Sequence, residues 1–184
     1  AVCPVNVYVH PPYMATIGRL YNEAGASVLY DNAHGFGTEV DGKRIYGQAQ
    51  AQVFSFHATK ILCGVEGGAV ISSNRDFLDQ LRLLRNHGLA PDLLDSFPGY
   101  NAKMDELRAA VGLSSLAAFD AALALRRDYA ERLRRFMDRE CFGMFQSQGI
   151  RGPVRSNFQN LAFLVGGAQT AGLDRVIAGF KRRH

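Results

Sequence analysis

Val2 to Val9 is dominated by apolar residues and reads as a buried strand, stopped by Pro11-Pro12. Met14, Ile17, Leu20 and Tyr21 then recur at helical spacing, which predicts a helix over Met14 to Glu23 closed by Gly25. Ser27-Val28-Leu29-Tyr30 predicts the next strand, and it ends on Asp31. Strand, helix, strand is a βαβ unit, so the two strands should run parallel. Ligands in such sheets collect at the carboxyl ends of strands, where Asp31 stands.

Thr38-Glu39-Val40 and Lys43-Arg44-Ile45 flank Asp41-Gly42, a hairpin-turn signal. Gln52 to Phe56 predicts a strand running into a loop with Lys60, and Gly68 to Ser72 another. Too few residues separate these two for a helical crossover, so they should be antiparallel. Phe77, Leu78, Leu81 and Leu84 share one face of a helix over Arg75 to Asn86, capped by Gly88. Ala90 to Tyr100 carries prolines and no period, the mark of a loop. Met104, Leu107, Ala110 and Val111 begin a helix whose first turn holds Asp105 and Glu106, favourable for its dipole. A long helix follows over Phe119 to Met137, with Phe119, Leu123, Ala130, Leu133 and Met137 inward and Arg126, Arg127, Arg132, Arg134 and Arg135 outward. The texture turns Gly- and Ser-rich after Phe142, which places a domain boundary near Gln148: residues 1–147 in one domain, 148–184 beginning a second. Asn157 to Val165 predicts a strand of that second unit, and Gly172 to Lys181 a helix.

The 184 residues are 47% hydrophobic and 21% charged, an ordinary globular balance able to bury one core. The net charge of +4 suits an anionic substrate and is too small to argue for nucleic acid. The arginine stripe of the long helix lacks the interleaved aromatics of a nucleic-acid face and reads as solvated. No apolar run reaches the roughly 18 residues of a membrane helix, and no basic leader is visible, so a cytoplasmic protein is expected. Cys3, Cys63 and Cys141 fit neither a disulfide framework nor a metal site. The chain starts at Ala1 and stops at His184 directly after a helical pattern, which suggests a fragment.

Chemistry concentrates at predicted strand ends. Lys60 stands among small and apolar neighbours in FSFHATKILCGVEGGAV, residues 54–70. Desolvation disfavours the charged form of such an amine, and the neutral form can hold an aldehyde as a Schiff base. That points to pyridoxal 5'-phosphate. The cofactor also needs a carboxylate to keep its pyridine nitrogen protonated, a part open to Asp31, and donors for its phosphate. His34 can bond the ring hydroxyl, while Ser55 and Asn101 can serve the phosphate. Each residue also has a plainer use: Asp31 and Asn101 as turn or cap residues, His34 as a structural histidine, Ser55 as a strand hydroxyl, and Lys60 as a snorkelling surface lysine.

Asp31-Asn32-Ala33-His34, Phe54-Ser55-Phe56-His57-Ala58-Thr59-Lys60, Glu66-Gly67-Gly68, Asn86-His87-Gly88 and Gly99-Tyr100-Asn101 together resemble the DegT/DnrJ/StrS-type nucleotide-sugar aminotransferases. The resemblance runs over nearly the whole chain. It implies the α/β fold of aspartate aminotransferase, the three-layer α/β/α transferase of fold type I, present here as part of the large domain and the start of the small one. It implies a homodimer with a shared active site that moves an amino group from an amino acid, glutamate being the expected donor, to a nucleotide-linked keto-sugar. It makes Lys60 the Schiff-base lysine, Asp31 the pyridine partner, His34 the ring contact, Ser55 a phosphate ligand, and Asn101 a phosphate ligand in the partner subunit's site. Asn32 stands where the family commonly has Ala, and Asn6 where the preceding strand often has His. Family members are about twice this long, and the N-terminal half, which supplies a phosphate-binding turn and a stacking aromatic, is not in this sequence. Three rivals stay open: a pyridoxal-phosphate sugar dehydratase of the same fold, a non-catalytic relative, and an inactive truncated product.

Overall fold

The computed structural model describes residues 1–8, 11, 14–47, 49–90, 97–140, 145–149, 152–165 and 178. The expected loop over Ala90 to Tyr100 and helix over Gly172 to Lys181 fall largely outside these.

Helix α1 spans Met14–Glu23 and leads to strand β1, Leu29–Asp31. Gly25 between them takes φ +66°, a left-handed conformation that needs no Cβ, and the Ala26 amide reaches back to the Tyr21 carbonyl at 2.8 Å. A hairpin follows, β2 (Glu39–Val40) and β3 (Lys43–Arg44). Its turn residues Asp41 and Gly42 both have positive φ, 51° and 73°, as a type I′ turn requires. Strands β4 (Ala51–Ser55) and β5 (Gly68–Ser72) complete a sheet of order β1-β4-β5. β1 lies parallel to β4, and β4 antiparallel to β5. Helix α2 is Arg75–Leu84, with Asn74 as N-cap accepting from the Phe77 amide, and Gly88 at φ +72° donates back to the Leu83 carbonyl at 2.8 Å. Asp105 caps α3, Glu106–Ala117, and α4 is Phe119–Glu140. Three short strands close the described chain: β6 (Phe145–Ser147), β7 (Val154–Arg155) and β8 (Phe163–Val165). β6 pairs with β8, while β7 adds to the β2–β3 hairpin.

The core has two connected parts. Met14, Val28, Tyr30, Ile45 and Phe54 form one, and the Tyr30 hydroxyl donates to the Met14 carbonyl at 2.7 Å, which fixes α1 on the sheet. Leu62, Phe119 and Leu123 form the other, beneath α4. Phe36 and Phe56 touch both parts. Phe36 packs edge-on against Phe119 and Phe54, with centroids 4.9 and 5.7 Å apart, a favourable aromatic geometry. Gly37 lets this happen: a Cβ there would come within 2.6 Å of the Phe119 ring.

Three expectations change. Val2 to Val9 is not a continuous buried strand. Two isolated parallel bridges, Val2 to Val28 and Val5 to Asp31, replace it. Pro4 has no N–H to give the ladder, and Val5, Val7 and Tyr8 are exposed. The direction, parallel to β1, is as the βαβ pattern requires. The strand expected over Asn157 to Val165 narrows to β8. Leu133, expected inward on α4, is exposed, and α3 buries none of its residues, with Leu107 82% exposed.

Candidate active site

The parallel pairing of β1 with β4 sets Asp31 opposite Val53. The chain leaves β4 at Ser55 and turns through His57 to Lys60, where the Lys60 amide donates to the His57 carbonyl at 2.8 Å. A carboxylate and a lysine therefore leave adjacent strands at the same end of the sheet. Asp31 is half-buried, and one of its oxygens accepts from the Ala33 amide at 2.9 Å in a local turn. That leaves the carboxylate with lone pairs for a ligand.

His34 lies within electrostatic reach of both charges. Burial pushes its imidazole below the usual histidine range, the Lys60 charge pushes the same way, and Asp31 opposes. Near pH 7 the ring is therefore neutral, with one nitrogen as donor and one as acceptor. The Asn160 amide nitrogen lies 3.5 Å from its Nδ1. Ser55 Oγ accepts from the His57 amide at 3.3 Å, which leaves its own hydrogen available to an anion. His57 itself points to Glu66 at 3.5 Å and to Thr59 at 2.9 Å, so it props the lysine loop.

Asn101 is not part of this cluster. It is exposed and forms a backbone bridge with Asn86, whose side chain accepts from Lys103 at 2.7 Å. No hydrogen bond joins it to Asp31, His34, Ser55 or Lys60 among the described residues.

Asn157 to Asn160, expected as the start of a strand, instead brace the loops of the site. Asn157, fully buried, donates to the carbonyls of His34 and Phe36, both at 2.7 Å. Gln159 donates to the Thr59 carbonyl and accepts from the Ile61 amide, both at 2.8 Å. The only signal for this in the sequence is the density of amides in Ser156-Asn157-Phe158-Gln159-Asn160, unusual inside an apolar run. Below the Asp31 loop, Asn6 and Asn32 are also buried, and close contact with Asn6 needs a glycine at 35, where a Cβ would meet its amide nitrogen at 2.7 Å.

The residues present suit pyridoxal phosphate: an amine, a carboxylate with free acceptor capacity, a neutral imidazole and a hydroxyl gather at one sheet end. No group of three or more His, Cys, Asp or Glu side chains fit to hold a metal occurs among the described residues. No single helix there is long and apolar enough to cross a membrane. A separate groove beside β5 and α2 is ringed by Arg82, Arg85, Lys103 and Arg108, and none of the cluster lines it.

The chain is similar to several known proteins over most of its length. The chain is 32% identical over 181 residues to the protein Rv3402c of Mycobacterium tuberculosis, a match covering 97% of this chain and 42% of that one. It is 32% identical over 138 residues to the dTDP-4-amino-4,6-dideoxy-D-glucose transaminase of Shigella dysenteriae, covering 73% of this chain and 38% of that enzyme. Among solved structures, Helicobacter pylori PseC, an aminotransferase involved in the biosynthesis of pseudoaminic acid, superposes with a TM-score of 0.88 at 24% identity. That superposition covers 100% of this chain and 50% of PseC, and it shows the shared α/β transferase fold. The chain thus spans half or less of the length of these relatives. The profile of the DegT/DnrJ/EryC1/StrS aminotransferase family matches residues 1–181, and the chain belongs to that family.

Proposed function

We propose that the protein containing these residues is a pyridoxal-phosphate aminotransferase that carries an amino group from an amino acid, glutamate by preference, to a nucleotide-linked keto-sugar. The observation that carries the reading is the parallel β1–β4 register, which brings Asp31 and the Lys60 loop to one end of the sheet. The name of the Shigella relative supports the substrate class.

The bound cofactor would supply an electron sink for the carbon that loses its proton. Lys60 would be the amine that holds the cofactor and the base that moves the proton at the reacting carbon. Asp31 holds the proton on the ring nitrogen. Neutral His34 bonds the ring hydroxyl without adding a competing charge. Ser55 donates to the phosphate, and Asn101 donates across a homodimer interface to the phosphate of the partner's site. Residues 1–147 form the cofactor-binding domain and 148–184 open the small domain. The enzyme works in the cytoplasm.

The test is spectral. Pyridoxal phosphate is loaded onto the protein containing residues 1–184, glutamate is added, then a panel of nucleotide-linked keto-sugars. The account expects glutamate to convert the visible spectrum and one keto-sugar to restore it with release of an amino-sugar. A spectrum indifferent to amino acids marks a non-catalytic binder. Sugar deoxygenation without an amino donor marks the dehydratase.

A further inference from the structure

We propose that Gln159 is a positioning residue for Lys60, and that the segment from Ser156 to Asn160 locks the lysine loop and the Asp31–His34 loop into one register. The catalytic part of this inference rests on the function proposed above; the clamp itself does not.

The geometry is specific. The Gln159 side-chain amide bonds the backbone on both sides of Lys60, giving a proton to the Thr59 carbonyl and taking one from the Ile61 amide, each at 2.8 Å. A carbonyl can only accept and an amide N–H can only donate, so one orientation of the glutamine satisfies both. The residue between those two groups is Lys60. Its backbone is thereby held on either side, and the start of its side chain with it.

The glutamine is itself anchored. Its backbone amide donates to the Asn157 side-chain oxygen at 2.8 Å, while the Asn157 nitrogen binds the His34 and Phe36 carbonyls. Ser156, one residue earlier, is fixed from α4 by Arg127, whose Nε donates to its carbonyl at 2.8 Å. One five-residue segment thus spans from the loop of the carboxylate to the loop of the amine. Sequence separation makes this informative: Gln159 reaches across 98 residues to Ile61, and Asn157 across 123 to His34. A contact that closes so long a loop is not a by-product of local chain geometry. Reaction at Lys60 requires its amine at a fixed distance from a bound aldehyde, and misplacement of about 1 Å can cost about a hundredfold in rate.

The experiment compares Gln159→Met, which keeps length and loses both bonds, with Gln159→Glu, which keeps the acceptor for Ile61 and opposes the Thr59 carbonyl. Gln146→Met, on an exposed position of β6, is the control. Three readouts are taken on the protein containing residues 1–184: hydrogen exchange at the Ile61 amide, the pH midpoint of the bound cofactor's visible absorbance, and the rate of borohydride-trapped pyridoxal phosphate on Lys60. The proposal expects Gln159→Met to speed Ile61 exchange and slow trapping at Lys60, each by about tenfold or more, and to move the pH midpoint. Gln159→Glu should leave Ile61 exchange closer to the parent while still slowing trapping, and Gln146→Met should change nothing. Unchanged Ile61 exchange in Gln159→Met overturns the clamp. Faster exchange with unchanged trapping and midpoint overturns the positioning role and leaves Gln159 a purely structural residue. If the unsubstituted protein takes up no pyridoxal phosphate, the proposed function fails and the catalytic role of Gln159 falls with it, while the exchange result still decides the clamp.

Discussion

Asp31 and Val53 face each other across the parallel pair β1–β4, and this register brings the carboxylate and the lysine loop to one end of the sheet. A slip of one residue would turn Asp31 to the other face and break the arrangement, because side chains alternate along a strand. Tyr30 and Phe54, both buried, resist that slip: moving either would expose a large apolar side chain.

The role of Asp31 is tested by Asp31→Asn. Asparagine keeps an oxygen for the Ala33 amide, so the turn should survive and cofactor should still bind. Without the negative charge the ring nitrogen no longer keeps its proton, and turnover should fall by about a hundredfold or more. An unchanged rate would make Asp31 a turn residue and nothing more.

His34 gives the chain a pH dependence of definite sign. Its folded value lies below the unfolded one, so the folded state binds its proton less readily. The stability tied to neutral His34 is complete above the unfolded value of about 6.5 and is lost as pH falls through the lower folded value. His34→Gln, which cannot titrate, should lose less stability between pH 7.5 and the acid side than the parent does. Urea melts at a series of pH values measure this, and parallel curves for the two proteins would refute it.

Arg127 ties α4 to the hairpin and to the segment that carries Gln159. It is 11% exposed and contacts Glu39 at 3.4 Å as well as the carbonyls of Gly37, Arg155 and Ser156. Arg127→Met should cost about 2 kcal/mol, less than a fully buried pair, because Arg44 and Arg155 still face Glu39. Arg132→Met, whose side chain is 67% exposed, should cost under about 0.5 kcal/mol in the same denaturant titration. Equal effects of the two would show that burial of Arg127 adds nothing.

Much of this was readable from the chain because local rules and tertiary structure agree there. The Met14 helix, the Gly25 cap, the Asp41-Gly42 turn and the antiparallel β4–β5 pair each follow from spacing or turn chemistry. The site was readable in part: Asp31, His34, Ser55 and Lys60 come together, while Asn101 stands apart in this chain. The Asn157 region misled for a physical reason. Ser156 and Asn157 side chains accept from the Phe158 and Gln159 amides at 2.7 and 2.8 Å, and Phe158 takes φ 49°. Such bonds compete with a strand ladder and win here. The same residues then hold loops more than 90 positions away, a relationship no local pattern encodes. The arginine face of α4 hid Arg127 in the same way, since helical spacing alone does not separate a solvated arginine from one folded under.

The central claim is that Lys60 is the amine that takes the cofactor. Pyridoxal phosphate is added to the protein containing residues 1–184, reduced with borohydride, and the protein is digested and mapped by mass. The account predicts one modified peptide, with the cofactor on Lys60, and no modification and no turnover in Lys60→Ala. Stoichiometric label on Lys43 or Lys103 instead, or normal turnover of Lys60→Ala, would contradict it.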